Sequence, residues 1–116
     1  MAKPLGPYSP IVRSGDWLVV SGQLGVKDGA LVGTDAATQT TQVVANLKSV
    51  LESEGASLDH VVKTTVFLTN MDDFAAMNEA YVAGFADHRP ARSTIGVAAL
   101  PLAGAVVEIE AWARIA

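Results

Sequence analysis

The chain contains no cysteine. That absence removes disulfides, thiolate nucleophiles and thiolate metal ligands together, and it fits a reducing compartment, with the cytosol as the expected, cytoplasmic location. Charge is also scarce: 17% of residues are charged, and eight Lys and Arg against twelve Asp and Glu leave a net −4. A field of that sign repels polyphosphates, so nucleic acid is not expected as the main partner. Long apolar runs are missing too. The most apolar stretch, residues 96–107, is interrupted by Pro101 and Gly104, well short of the ~20 residues a membrane helix needs. Residues 1–10 carry early prolines and no apolar core of the kind a secretory signal requires, so neither membrane nor targeting is expected.

What is present points to one domain, residues 1–116. Half of those residues are hydrophobic, more than so small a body hides in its own interior, which predicts an oligomer. Hydropathy patterning predicts two β-hairpins over residues 11–34, with turns at Ser14-Gly15-Asp16 and Lys27-Asp28-Gly29 and with Gly25 also assigned to a turn. Val43, Val44, Leu47, Val50 and Leu51 fall on one stripe of a helix spanning about 35–54, stopped by Gly55. Residues 61–68 read as a buried strand, and residues 71–85 as a second helix along Phe74, Met77, Tyr81 and Phe85, capped by Asn70 or Asp72. Strands over 93–99 and 105–115 close the chain. In the last strand Ala105, Val107, Ile109, Ala111, Ala113 and Ile115 share the face expected to meet the helices, leaving Val106, Glu108, Glu110, Trp112 and Arg114 on the other. Two helices cover one side of a sheet, so another copy of the chain is the natural cover for the side bearing Trp112.

Chemistry concentrates at few positions. Arg92 is one of four arginines and stands in Pro90-Ala91-Arg92-Ser93-Thr94, between small neighbours. A planar guanidinium there can grip a carboxylate through paired hydrogen bonds, with backbone groups of Ser93 and Thr94 beside it; the alternative is an ordinary surface arginine or an interface ion pair. Glu108 and Glu110 project from one strand face roughly 7 Å apart and parallel, which does not suit a glycosidase pair. On a covered face Glu108 either pairs with an arginine or activates a water. Tyr8 sits in a segment stiffened by Pro7 and Pro10, as a packing residue or as a phenol over a pocket. At Ser21-Gly22-Gln23 the glycine admits a ligand to the backbone, or the segment simply ends a strand. Asn78 lies at the edge of the second helix, where it is either solvated or reaches a subunit border. His60 and His88 lack the spacing and acidic company of a metal site and read as surface residues. No nucleophile motif and no Gly-rich phosphate loop occurs.

Taken together, five segments resemble the RidA or YjgF family of 2-imino acid deaminases: GPYSP at 6–10, VVSGQ at 19–23, the run at 42–81, PARST at 90–94 and VEIEA at 107–111. The resemblance implies a chorismate-mutase-like α+β fold, a mixed sheet with two helices on one face. It also implies a homotrimer with sites in the clefts between subunits, no cofactor, and hydrolysis of small-molecule 2-imino acids to 2-oxo acids and ammonia. By the same resemblance Arg92 binds the substrate carboxylate and Glu108 handles water, while Tyr8, Ser21, Gly22, Asn78 and Thr94 line the pocket. Thr94 stands where the family often has Cys, Gly25-Val26 where a proline is usual, and Gly96 where a larger or acidic residue is common. A non-catalytic binder of small carboxylates and an endoribonuclease or translation inhibitor are the rival readings.

Overall fold

A computed structural model describes residues 4–116; the first three residues of the segment 1–10 lie outside the described part. Strand β1 (Ile11–Ser14) turns at Gly15, whose φ of +59° a glycine adopts freely, into β2 (Trp17–Leu24). The short pair β3 (Val26–Lys27) and β4 (Ala30–Leu31) is joined by Asp28 and Gly29, both at positive φ, the arrangement that an Asp-Gly pair supplies in a tight hairpin. Helix α1 (Ala36–Glu52) starts where the Asp35 carboxylate accepts the Thr38 N–H at 2.8 Å. Those hydrogen bonds hold the Asp35 carboxyl below its ordinary pKa. A 3-10 turn leads into β5 (Val61–Leu68), and a second one (Met71–Asp73) into α2 (Phe74–Phe85). Strands β6 (Ala91–Gly96) and β7 (Val107–Arg114) complete the chain.

The main sheet has the order β1-β2-β7-β5-β6, antiparallel except for β5 and β6, which run parallel through the α2 crossover. This is the mixed sheet of an α+β fold. Val43, Val44, Leu47, Val50 and Leu51 of α1 are all buried, and they meet Val66, Leu68, Val107, Ile109, Ala111 and Ala113 of the sheet in one core. Burying each Val, Leu or Ile side chain here contributes about 1.5–3 kcal/mol, which makes this layer of contacts a principal source of the fold's stability. The expected alternation along β7 holds: its odd-numbered residues are buried under the helices, and Glu108 and Glu110 are half-buried on the open face. Trp112 is 46% exposed there and meets Trp17 edge-to-face, ring centroids 6.3 Å apart. Among the described residues no helix is long and apolar enough to cross a membrane.

Several boundaries differ from the sequence reading. Strand β6 begins two residues earlier and ends at Gly96, because its ladder with β5 runs from Lys63 opposite Ala91 to Leu68 opposite Gly96. Asn70 caps the 3-10 turn, accepting the Asp72 N–H, whereas Asp73, the N-cap of α2, makes no side-chain cap. Gly25 belongs to no hairpin turn. It is where the chain crosses α1, and a Cβ there would lie 3.0 Å from the Cα and carbonyl oxygen of Gln39. His88 is not a plain surface residue: it is half-buried, and its Nε2–H donates to the Val61 carbonyl at 2.7 Å.

Candidate functional site

The candidate residues fall into two groups on opposite faces of the sheet. The first runs from the N-terminal segment along β2 and reaches Glu108 through Gly22. Ser21 is tied to the N-terminal segment twice: its hydroxyl donates to the Ser9 carbonyl at 2.6 Å, and its N–H to the Pro10 carbonyl at 3.0 Å. Those bonds hold Tyr8 and Pro10 over β2, where they line a hollow of about 60 Å³ with Leu5, Gly22, Gln23 and Leu24. The Tyr8 hydroxyl accepts the Leu5 N–H at 3.2 Å. Register between β2 and β7 shifts between Val20 and Gln23, a bulge that brings Gly22 against Glu108. A Cβ on Gly22 would sit 2.7 Å from the Glu108 carboxyl carbon and 2.9 Å from its Oε1. Burial, and secondarily the like charge of Glu110, push the Glu108 carboxyl above its ordinary pKa. A carboxyl that releases its proton less readily is suited to proton transfer near neutral pH.

The second group gathers around Arg92. In the ladder Arg92 stands opposite Thr64, and Thr64 opposite Ala111, so Arg92 points to the helix side while Glu108, opposite Phe67, points away. Two strand spacings and three residues of offset separate their Cα atoms by roughly 14 Å, with the sheet between the side chains. Within one chain they do not meet. The guanidinium is surrounded by large side chains rather than by the small sequence neighbours: its carbon lies 4.9 Å from the Tyr81 ring centre and 5.6 Å from that of Phe74, and Nη1–H donates weakly to the Met77 sulfur at 3.9 Å. It is half-buried, not an ordinary surface arginine. Asn78 shares this helix, one turn from Phe74 and three residues from Tyr81, and its Oδ1 is buried without a hydrogen-bond partner, so it is not simply solvated. Thr94 follows Arg92 on the same side of β6 and is half-buried. Because β6 is an edge strand, alternate backbone N–H and C=O groups along it face away from the sheet.

Thr64, Phe74, Met77 and Tyr81 were not singled out by sequence reasoning. The last three read as a core stripe, and their periodicity is the only signal that they share a face; nothing in it announces a cation. Among the described residues no group of His, Asp and Glu is arranged to hold a metal ion.

A two-part arrangement of Tyr8, Ser21, Gly22 and Glu108 on one side, and Asn78, Arg92 and Thr94 on the other, coincides with a family match along the whole length. The model of the family described as endoribonuclease L-PSP matches residues 1–115. The chain belongs to this family. Several relatives carry the RutC, RidA or YjgF names. A RutC family protein of Pyrococcus horikoshii is 44% identical, the match covering 96% of this chain and 89% of that protein. A protein of Dermatophagoides farinae named 2-iminobutanoate/2-iminopropanoate deaminase is 41% identical over 93% of this chain and 85% of its own. Among solved structures, the YjgF gene product of E. coli matches at 40% identity with a TM-score of 0.89, over 96% of this chain and 90% of that one. Other relatives are named as mitochondrial or chloroplastic proteins.

Proposed function

We propose that this L-PSP family protein hydrolyses 2-imino acids to 2-oxo acids and ammonia, as a cytosolic homotrimer whose sites lie between subunits. The observation that carries the reading is Glu108, a half-buried carboxyl whose proton affinity is raised and which lies against the one backbone position that has no side chain to displace it. Arg92 complements it: it lies over two aromatic rings and gives only one weak Nη1–H hydrogen bond to a thioether, so its remaining donors stay available to a carboxylate. Since the two face opposite sides of one sheet, a substrate that touches both requires two chains. The half-exposed Trp112 on the open face supports such an assembly.

In this reading Arg92 of one subunit holds the substrate carboxylate, with outward backbone groups near Thr94 beside the imine. From the neighbouring subunit Glu108 accepts a proton as a water attacks the C=N carbon, and the electron pair of the C=N bond moves to nitrogen. Tyr8, Ser21 and Gly22 shape the space around that water, and Asn78 flanks the arginine. Glu108 returns that proton to nitrogen to give a carbinolamine, then takes the hydroxyl proton and passes it to nitrogen as the C–N bond breaks, so that the oxygen becomes the carbonyl of the 2-oxo acid and nitrogen leaves as ammonia. An imine already hydrolyses in water, so orientation and acid–base assistance worth about 10²- to 10⁴-fold suffice.

The test is ammonia release from an imine generated in situ by an amino-acid oxidase. Wild type is expected to accelerate release and Arg92→Ala to lose the acceleration; equal rates contradict the reading. Tight binding of 2-oxo acids without turnover would favour a carboxylate-binding protein instead. The family's endoribonuclease description finds little support in a chain of net charge −4 whose His60 and His88 are engaged with Ser57 and Val61.

A further inference from the structure

We infer that Tyr81, oriented by Thr64, is a positioning residue for Arg92, seating the guanidinium over an uncharged ring so that its charge and its hydrogen-bonding edge remain open to an incoming carboxylate. The inference rests on the reading of Arg92 as a carboxylate-binding group and names what makes it one.

Thr64, Tyr81 and Arg92 form a triangle across three elements. Thr64, on β5, is fully buried and stands directly opposite Arg92 in the parallel ladder. Its hydroxyl shares a 2.7 Å hydrogen bond with the Tyr81 phenol. Tyr81 is 4% exposed, and its ring is also packed against Phe85, centroids 4.6 Å apart. Phe85 packed beside the ring resists its rotation, and the Thr64 hydrogen bond resists displacement of its hydroxyl end. Burial keeps the phenol neutral by raising its pKa, so the ring presents an uncharged face.

That face is what the arginine meets. A guanidinium over an aromatic ring is attracted through the ring's quadrupole, and the attraction grows as water is removed. The geometry matters more than the strength. An aromatic ring carries no charge and accepts no conventional hydrogen bond, so it does not neutralise the guanidinium or occupy the N–H donors along its edge as a carboxylate would. An aspartate or glutamate in the same place would occupy that edge, neutralise the charge and compete with any carboxylate ligand. Phe74, also over the guanidinium at 5.6 Å, extends the same seat along α2, and the Met77 sulfur accepts a single weak Nη1–H hydrogen bond at 3.9 Å, which leaves the other guanidinium donors for a ligand. The helix therefore fixes the arginine by contacts that a carboxylate ligand does not have to displace.

The experiment measures, by calorimetry on the purified full chain, the affinity for 2-oxobutanoate and for its neutral amide, and takes the ratio. Wild type is expected to prefer the carboxylate and Arg92→Ala to lose the preference. Tyr81→Leu removes the aromatic face and is expected to cut the ratio about tenfold. Tyr81→Phe and Thr64→Val keep a ring over the arginine but untie it, and are expected to cut the ratio about threefold while melting cooperatively. General damage to the pocket would weaken both ligands together and leave the ratio unchanged, which overturns the inference, as does a wild-type ratio no higher than that of Arg92→Ala. If Tyr81→Leu does not fold, the two untied variants decide. Imine turnover is assayed in parallel: a wild type that prefers carboxylates through Arg92 and Tyr81 yet releases no ammonia removes the deaminase reading and leaves this one standing.

Discussion

Gly22 and Glu108 touch in a way that leaves no room for a side chain: the position a Cβ would occupy on Gly22 is 2.7 Å from the Glu108 carboxyl carbon. Because the obstacle is the end of a flexible side chain, the carboxylate rather than the backbone would give way. Gly22→Ala should therefore fold normally, with a melting temperature within a few degrees of wild type, and lose about 10²-fold in kcat/KM for imine hydrolysis through misplacement of the base. Circular dichroism melts and steady-state kinetics check both halves. A fully active Gly22→Ala would mean that the carboxylate works from elsewhere.

The raised pKa of Glu108 carries a sign that can be tested. Its proton is held more tightly in the folded than in the unfolded chain, so the folded state binds more protons between the two values. Stability contributed by the protonated form is present below the unfolded pKa and declines as pH rises through the folded one. Glu108→Gln should accordingly be at least as stable as wild type at pH 8, by urea titration, while its imine hydrolysis falls to the uncatalysed rate. In wild type the acid limb of kcat/KM should lie above the ordinary glutamate value of about 4.3. Glu110→Gln, which removes the nearby like charge, should move that limb downward. A limb that moves upward instead contradicts the assigned cause.

Ala86 closes α2 at φ 56°, ψ −121°, a backbone region that side-chain-bearing residues rarely adopt. Strain there costs about 1–3 kcal/mol, against roughly 0.5–1 kcal/mol of extra unfolded-state entropy for a glycine. The difference favours glycine. Ala86→Gly should raise stability by about 1 kcal/mol, read as an increase of about 4 °C or more in melting temperature, without altering activity. No gain would show that the loop before β6 relaxes by other means.

How much of this was legible in the sequence follows from which forces are local. The α1 stripe reports its own periodicity, and all five of its predicted core residues are buried, whereas β5, read as a buried strand, buries only Val61, Thr64, Val66 and Leu68 and leaves Val62 44% exposed, because only one face of the sheet lies under the helices. The start of β6 was not legible, because Ala91 and Arg92 are extended through pairing with β5, a contact made only after α2 has crossed over. The asymmetry of β7, apolar under the helices and polar outside, could be read from alternation alone. What alternation could not show is that Arg92 and Glu108 emerge on opposite faces, since that depends on the order β7-β5-β6 across the sheet. The family was legible because its motifs recur along the whole chain, whereas the aromatic seat of Arg92 was hidden in residues that also read as ordinary core.

The account stands on a site assembled from two chains, and subunit complementation tests that most directly. Arg92→Ala and Glu108→Gln, each inactive alone, are unfolded together in equal amounts, refolded and assayed. In a closed ring where each site takes its arginine from one subunit and its glutamate from the next, random mixing restores roughly a quarter of the wild-type sites. Recovery of about that fraction of imine hydrolysis is the predicted result; a mixture no more active than its parents would contradict the account.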